Sequence, residues 1–338
     1  VIVLATAVLG SFRALLARFE RTDFGRRHEL TARTKAAEFR VRVPLRSAAE
    51  FRPWIERMAG GEADVLWPGR CRLFAYTAGT VDGSQQTLPV TPDLLLHFRR
   101  ALADTILLHA ARIDSVELFH GRHLHCGGST ALTRANGIFA GLLDALPLLA
   151  LTPWVEKNLY APPRELARLP EGAEKTAAIA QAYAGRNVRL AAGTPGALLA
   201  LADALEARGG LRGAWPQLEC LLTSGAMPLL HGADLKARLG PRATLHEAYA
   251  AAEGFFAAQD GEPGAGLRVL TDAGVYFEFL PLREADGTNP PHGHGARCVP
   301  LEEVRPGEDY ALVVTTPGGL CRCLVGDAVR FVSVAPPR

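Results

Sequence analysis

The segment that most constrains this chain is a short apolar run followed by a loop rich in glycine and threonine. Leu73–Tyr76 (LFAY) predicts a buried strand, and residues 77–86 (TAGTVDGSQQ) form the loop. Residues 91–112 then have helical periodicity, with Thr91 as the N-cap. Backbone N–H groups of such a loop can point into one concavity and bind phosphate. A surface turn is the alternative interpretation, and the Walker pattern is absent because no lysine follows Gly83.

Three later segments contain further candidate residues. Residues 246–254 read HEAYAAAEG and contain Tyr249 and Glu253, and the run GGLCRCLVGD ends at Asp327. Gly225 follows a predicted core strand, where a glycine lets a flat ring approach the backbone. Each position also has a structural interpretation when it is considered alone. Tyr249 then belongs to the core, Glu253 is a solvated loop carboxylate, and Asp327 caps a turn.

Taken in order, these segments resemble the three nucleotide motifs of the Gretchen Hagen acyl-acid–amido synthetases, the auxin-conjugating family of the acyl-adenylate-forming superfamily. Residues 77–86 stand where that family has approximately S-S-G-T-S-x-G-x-x-K. Residues 249–253 (YAAAE) stand where it has Y-x-x-S-E, and residues 321–327 (CRCLVGD) where it has Y-R-x-x-G-D, with one residue of slack. The flanking segments that also look like the family are 21–26 (RTDFGR), 39–45 (FRVRVPL) and 274–281 (GVYFEFLP).

The resemblance implies an α/β fold, namely the large amino-terminal domain of the acyl-adenylate-forming (firefly luciferase-like) enzymes. That domain combines α/β sheets with a β-rich, barrel-like portion. We therefore expect residues 1–338 to form one large ATP- and acyl-acid-binding domain, mainly α/β over residues 1–260 and β-rich over residues 261–338. The smaller carboxy-terminal domain of the family is expected to be absent from this chain.

The resemblance also implies an activity, with ATP and Mg²⁺ as cofactors. A small carboxylic acid is activated as an acyl-adenylate, and the full-length protein conjugates it to an amino acid. Thr80 and Glu253 are the implied catalytic residues, with Glu253 meeting Mg²⁺. Tyr249 and Gly225 would flank adenine, and Asp327 would accept hydrogen bonds from the ribose hydroxyls. The full set of implied ATP-binding residues is Thr77, Gly79, Thr80, Gly83, Ser224, Gly225, Tyr249, Glu253 and Asp327.

Several positions depart from the family pattern. The departures are Ala78, Val81, Gln86, Ala252, Cys321 and Cys323. They remove hydroxyl donors and one cation near the polyphosphate, and a neutral hydrogen bond contributes roughly 0.5–1.5 kcal/mol. Two alternatives to amide synthesis stay open, and the departures favour the second of them. One is acyl transfer to coenzyme A, and the other is a nucleotide- or acid-binding protein that has lost catalysis.

Charge and composition give no indication of a nucleic-acid or membrane partner. The 338 residues carry a net charge of +2, and charged residues make up 21% of the chain. Residues 1–10 (VIVLATAVLG) are apolar but too few to span a bilayer. A secretory signal would require that the chain has lost its beginning. We expect instead the buried side of a first helix that extends to residue 20.

Cysteine and histidine residues predict no special site. The six cysteines contain no C-x-x-C pair, so we expect reduced thiols in a cytoplasmic protein. His120, His123 and His125 lie close together in sequence, but no cysteine or carboxylate completes a recognised ligand pattern. Surface or strand histidines are therefore favoured over a metal site.

Local patterns predict further elements. The predicted strands are residues 39–43, 116–119, 124–128, 188–192 and 218–222, and the predicted helices are residues 46–60, 140–150, 174–183, 197–208 and 231–239. Ser47 and Glu50 have the spacing of a capping box. Beyond residue 261 the pattern changes to short alternating strands.

Overall fold

The computed structural model describes most of the chain. The described residues are 2–76, 87–135, 137–142, 145, 146, 148, 151–224, 228–282, 293 and 297–338. The loop of residues 77–86 and Gly225 therefore lie outside the described residues, as does most of the turn at residues 286–295.

Helices are spread along the whole described chain. They are α1 (Ile2–Phe19), α2 (Asp23–Arg27), α3 (Ala36–Arg42), α4 (Arg52–Ala59), α5 (Pro92–Ile113), α6 (Pro153–Asn158), α7 (Arg164–Ala167), α8 (Ala173–Tyr183), α9 (Pro195–Ala204), α10 (Gly210–Ala214) and α11 (Pro228–Arg238). Three of these helices are preceded by a threonine N-cap, namely Thr91, Thr152 or Thr194. In each case the threonine hydroxyl accepts a main-chain N–H and proline follows, which suits the first turn of a helix. No helix among the described residues is long and apolar enough to cross a membrane.

The strands of the described chain are mostly short. They are β1 (Arg46–Ser47), β2 (Leu73–Tyr76), β3 (Thr87–Pro89), β4 (Arg122–Cys126), β5 (Thr133–Ala135), β6 (Ile138–Leu142), β7 (Tyr160–Ala161), β8 (Val188–Gly193), β9 (Cys220–Ser224), β10 (Thr244–Ala251), β11 (Gly254–Gln259), β12 (Leu267–Val269), β13 (Tyr276–Pro281), β14 (Val299–Pro300), β15 (Asp309–Thr315) and β16 (Cys323–Arg330).

Within the described residues these strands form three sheets. The seven-stranded sheet has the order β12-β11-β10-β9-β8-β4-β7, and β10, β9, β8, β4 and β7 run parallel. The five-stranded sheet has the order β1-β16-β15-β13-β14, and the four-stranded sheet β3-β2-β6-β5. Because parallel strands end at the same edge, the register places Ser224 of β9 beside Ala248 of β10. The carboxyl ends of the seven-stranded sheet thus meet the region of Tyr249.

A buried aromatic cluster joins α1 to the five-stranded sheet. The ring of Phe12 lies 5.2 Å from that of Phe39 and 4.4 Å from that of Tyr276, measured between centroids. Full burial of one such side chain stabilises the fold by roughly 1.5–3 kcal/mol. The predicted first helix is therefore present as α1, and Phe12 packs it against the five-stranded sheet.

Three local predictions were wrong. Residues 39–43 belong mainly to α3, because Phe39 and Val43 are buried four residues apart while Val41 is 73% exposed. Residues 116–119 lie largely in a 3₁₀ turn. The predicted helix at residues 140–150 begins instead in β6, which pairs with β2 in parallel. A short apolar run fits either a helix or a buried strand, and here the edge of β2 supplies the main-chain partners.

Most other predicted elements are confirmed, with shifted ends. The helix at residues 46–60 is shorter than expected, since β1 and a 3₁₀ turn precede α4. The capping box is present, because the Glu50 carboxylate accepts the Ser47 N–H at 2.7 Å.

A buried ion triad fastens α3 to the five-stranded sheet. Glu278 of β13 is 1% exposed, and its carboxylate accepts the Nε–H groups of Arg40 and Arg322, each at 3.0 Å. Arg322 also donates to the carbonyls of Arg40 and Val43 at 2.9 and 2.7 Å. A buried charge is tolerated only when it is paired and hydrogen-bonded in this way. The triad therefore fixes the start of β16, which follows Arg322 directly.

We predict that Glu278→Gln destabilises the protein by about 3–5 kcal/mol, because it leaves two guanidinium groups without their buried counter-charge. The matched control is Asp309→Asn, which breaks an exposed pair with Arg330 on the same sheet. That change should cost less than about 1 kcal/mol. Urea unfolding measures both, and equal effects would show that the triad is not a main source of stability.

Candidate functional site

A hydrogen bond connects the seven-stranded sheet to the five-stranded sheet at the predicted site. The Tyr249 hydroxyl donates to Asp327 Oδ2 at 2.6 Å. Tyr249 is half-buried, with its ring edge-on to Phe256 at 5.2 Å, while Asp327 is exposed. Burial and the neighbouring carboxylate raise the pKa of Tyr249, so the phenol stays protonated. Two predicted site residues, 78 positions apart in sequence, are thus in direct contact.

A bulge in β16 presents Asp327 to solvent. In the pairing of β15 with β16, Ala311 lies opposite Ala328 and Val313 lies opposite Leu324. The three residues 325–327 of β16 therefore face the single residue Leu312 of β15. Gly326 has φ +96°, a conformation that side-chain-bearing residues rarely adopt. An extra-residue bulge bends a strand and redirects its side chains. The Gly-Asp pair of the third motif therefore has a structural reason in this chain.

Glu253 lies in the tight turn between β10 and β11. Ala251 pairs with Gly254, so Ala252 and Glu253 make the connection. The Glu253 side chain is 8% exposed. Burial, followed by the negative charge of Asp327, raises its pKa to about 7, against the opposing effect of its own N–H. The alternative interpretation of Glu253 as a solvated loop carboxylate is therefore wrong, because the group is buried.

His97 of α5 is hydrogen-bonded to the backbone beside this turn. Its Nε2 accepts the N–H of Phe255 at 2.8 Å, and its Nδ1–H donates to the carbonyl of Ala273 at 2.7 Å. Burial lowers the pKa of His97, so the ring is neutral and both nitrogens are used. If Gly254 were replaced by a residue with a side chain, its Cβ atom would lie 3.2 Å from His97 Nε2, which is closer than an ordinary contact. The sequence analysis did not identify His97. Nothing in the sequence near a histidine on an apolar helix face indicates that it binds distant main-chain groups.

The helix α5 contacts the third-motif region as well. The Thr91 hydroxyl, besides capping α5, donates to the carbonyl of Pro317. A Cβ on Gly318 would lie 3.2 Å from Leu94, so the backbone there passes close to the helix. Because α5 also follows β3 and the loop of residues 77–86, one helix is connected to all three motif segments.

The described structure brings some of the predicted site residues together, and the role of every one of them stays a prediction. It brings together Tyr249, Glu253 and Asp327, and it places Ser224 beside the residue preceding Tyr249. The predicted residues outside the described ranges are Thr77, Gly79, Thr80, Gly83 and Gly225. Their roles stay predictions.

Histidines and cysteines add no second reactive centre to the described residues. The Nε2 of His123 donates to the Leu118 carbonyl at 3.0 Å, and His120 pairs with Glu117. No group of three or more potential metal-ligating side chains gathers in the described part of the chain. The cysteines are buried free thiols, and burial raises the pKa of Cys71 to about 11. Buried thiols of this kind are unreactive at neutral pH.

Comparisons with known proteins identify two family segments. Residues 9–181 match the GH3 family N-terminal domain, and residues 268–338 match the GH3 family central domain. A probable indole-3-acetic acid-amido synthetase GH3.12 of Oryza sativa subsp. japonica is 26% identical over 95% of this chain and 65% of its own length. A GH3 domain-containing protein of Homo sapiens is 35% identical over 42% of this chain and 28% of its own length.

Solved structures give the same result for the fold. The AtGH3.15 acyl acid amido synthetase in complex with 2,4-DB matches with a TM-score of 0.77 and 19% identity, covering 98% of this chain and 66% of its own. A 2-hydroxyisobutyryl-CoA ligase in complex with 2-HIB-AMP and CoA matches with a TM-score of 0.64 and 16% identity. The match covers 96% of this chain and 64% of the ligase chain. The predicted α/β fold of acyl-adenylate-forming enzymes is confirmed. The chain spans about two thirds of the length of these relatives.

We predict that Glu253 makes stability fall as pH rises. Burial raises the pKa of Glu253 to about 7 in the folded protein, against the ordinary carboxyl value of 4.5 that it regains on unfolding. Its contribution is therefore complete below pH 4.5 and is lost as pH rises through about 7. One pKa unit corresponds to about 1.4 kcal/mol. Between pH 4.5 and pH 8, the free energy of unfolding of the wild type should therefore fall by about 3 kcal/mol more than that of Glu253→Gln.

Urea unfolding of both proteins without nucleotide or divalent cation measures this difference. The glutamine variant keeps the size of the side chain and removes the titration. If the two free energies of unfolding follow the same pH dependence, Glu253 does not titrate in the folded protein as its burial requires.

Proposed function

Because the chain belongs to the GH3 family, we propose that the whole protein activates a small carboxylic acid with ATP and then conjugates it to an amino acid. The acid is joined to the α-phosphate as an acyl-adenylate, and pyrophosphate leaves. The contact of Tyr249 with Asp327, beside buried Glu253, is the observation that carries the proposal. We also propose that residues 1–338 act as one ATP- and acyl-acid-binding domain in a cytoplasmic protein.

Asp327 and Tyr249 are the proposed nucleoside-binding pair. Among the described residues, Asp327 Oδ2 accepts a hydrogen bond from Tyr249 and Oδ1 accepts none. An exposed carboxylate with this free acceptor capacity suits the two hydroxyls of a ribose, which form charge-assisted bonds with it. The half-buried Tyr249 ring offers an apolar surface beside adenine. Ser224 lies at the neighbouring strand end, and with Gly225 it would line the same ring.

Glu253 is the proposed ligand for Mg²⁺. The residues present fit this ion, since Mg²⁺ in nucleotide sites is held by one or two carboxylates and by the phosphates. When bound, Mg²⁺ neutralises charge on the polyphosphate. Glu253 would hold this ion as the carboxylate and would therefore have to give up the proton that burial favours. Thr77, Gly79, Thr80 and Gly83 complete the proposal as donors to phosphate oxygens.

The proposed reaction is tested by ATP–pyrophosphate exchange with a panel of carboxylic acids, followed by mass spectrometry for acyl-AMP. The addition of amino acids or of coenzyme A then separates the two acceptor classes by their products. Amide products support the proposal, and thioester products would transfer the assignment to coenzyme A. Calorimetric binding of ATP without pyrophosphate release for any acid would show that this chain binds nucleotide without catalysis.

We predict that Asp327→Ala weakens ATP binding about tenfold to a thousandfold while leaving the thermal unfolding transition cooperative. The reason is the loss of charge-assisted bonds that contribute roughly 1.5–3 kcal/mol each. Asp309→Ala is the matched control, because it removes an exposed carboxylate of the same sheet that pairs with Arg330. Unchanged ATP affinity, measured by calorimetry on folded Asp327→Ala, would mean that Asp327 is structural.

We further predict that the apparent affinity for Mg²⁺ in the exchange reaction rises as pH increases through about 7. Protons and the cation compete for the same carboxylate, and the pKa of Glu253 lies near that value. Glu253→Gln should bind Mg²⁺ more weakly at pH 8 and should lose this pH dependence. A glutamine variant with the wild-type profile would assign the cation to another group.

A further inference from the structure

A cavity of about 850 Å³ opens at the amino ends of the parallel strands. It lies where β4 begins at Arg122, where β7 begins at Tyr160, and just before β8 at Asn187. Ser224 and Tyr249 lie toward the opposite, carboxyl ends of these strands. The volume is within the range of roughly 300–1,000 Å³ that small-molecule sites occupy. The cavity is thus separate from the nucleotide site proposed above.

Aromatic side chains form much of the wall. Phe119, Trp154, Tyr160 and Tyr183 line the cavity, and Trp154 of α6 is 63% exposed. Aromatic rings exposed in a concavity offer flat apolar surfaces and, in the tyrosines, hydroxyl groups for a ligand. Such a wall suits a flat, largely apolar molecule.

The charge of the lining is mainly positive. Arg122, Lys157, Arg164 and Arg186 line the cavity with the two carboxylates of Glu156 and Glu165. Arg164 is already paired with Glu156. Lys157 and Arg186 are exposed, and neither has an ion pair or a hydrogen-bond partner for its side chain in the part of the chain that the structure describes. Two uncompensated cations beside an apolar wall attract an anion.

Hydrogen bonds hold the walls of the cavity in place. Arg122 Nη1 donates to the Lys157 carbonyl at 2.7 Å, which ties the end of α6 to β4. Asn187 Nδ2 donates to the His120 carbonyl at 2.9 Å, and Trp215 Nε1 donates to the Tyr183 carbonyl at 2.8 Å. A ligand that enters such a preformed cavity loses less free energy to ordering of the protein.

We propose that this cavity is a second binding site, which takes a small aromatic anion. The ring packs against Trp154 and the tyrosines, and the anionic group lies between Lys157 and Arg186. This site goes beyond the proposed ligase activity and does not depend on it.

Isothermal titration calorimetry with 1-naphthalenesulfonate tests the proposal, since a sulfonate cannot be converted into an acyl-adenylate. We expect one site with submillimolar affinity that saturating ATP·Mg²⁺ changes less than twofold. Methanesulfonate, which lacks the ring, and 1-naphthalenemethanol, which lacks the charge, should each bind at least tenfold more weakly.

The variants locate the binding. The double variant Lys157→Glu/Arg186→Glu should weaken binding at least tenfold, and Trp154→Ala at least threefold. Arg208→Glu, a charge reversal of an exposed arginine outside the cavity lining, should leave the affinity within twofold. Thermal unfolding checks each variant, and Trp154→Ala is an independent test if the charge reversals unfold the protein. No binding at 5 mM, displacement by ATP, or equal affinity in the cavity variants would overturn the proposal.

Discussion

The carboxylate of Glu278, held between the guanidinium groups of Arg40 and Arg322, is the interaction on which the rest of this structure depends. Removing these charges from water costs free energy. Their mutual pairing, the carbonyl contacts of Arg322 and the contact of Arg40 with the Tyr276 hydroxyl offset that cost. Arg322 also adopts a left-handed backbone conformation, with φ +51°, which a non-glycine residue rarely holds without support from its surroundings. The triad thereby determines where β16 starts and where its bulge presents Asp327.

A second constraint comes from α5, which connects the segments that carry the proposed chemistry. The Thr91 hydroxyl donates to the Pro317 carbonyl at the start of α5, and nearly two turns later His97 accepts the N–H of Phe255, two residues after Glu253. The loop of residues 77–86 precedes the same helix. Burial of His97 in its neutral form and the close approach of Gly254 leave this turn little freedom. The position of Glu253 is therefore a property of the packed core rather than of a surface loop.

Local and functional signals explain what could be predicted from the sequence. The cap at Thr91 and the first helix follow from short-range rules. Tyr249 and Asp327 were singled out because their segments resemble the second and third family motifs, and the structure shows the two side chains in contact. The segment at residues 39–43 misled the prediction, since alternating apolar residues also fit a helix that buries every fourth one.

Long-range pairings could not be predicted. Nothing near Arg40 in the sequence indicates a partner 238 positions away, and nothing near His97 indicates that it binds a main-chain group 158 positions away. The raised pKa of Glu253 depends on the same packing, because burial in the three-dimensional core is its first cause. The residue types of the candidate site could thus be predicted from the sequence. Their contacts and their pKa values depend on the fold and could not.

The central claim is that a nucleotide binds where the seven-stranded and five-stranded sheets meet. A crystal structure with a non-hydrolysable acyl-adenylate analogue and Mg²⁺ tests it most directly. We predict ribose hydroxyls within about 2.5–3.0 Å of the Asp327 carboxylate, the adenine beside Tyr249, and the Glu253 carboxylate next to the cation. A structure in which the analogue lies elsewhere, with Asp327 still bonded only to Tyr249, would contradict it.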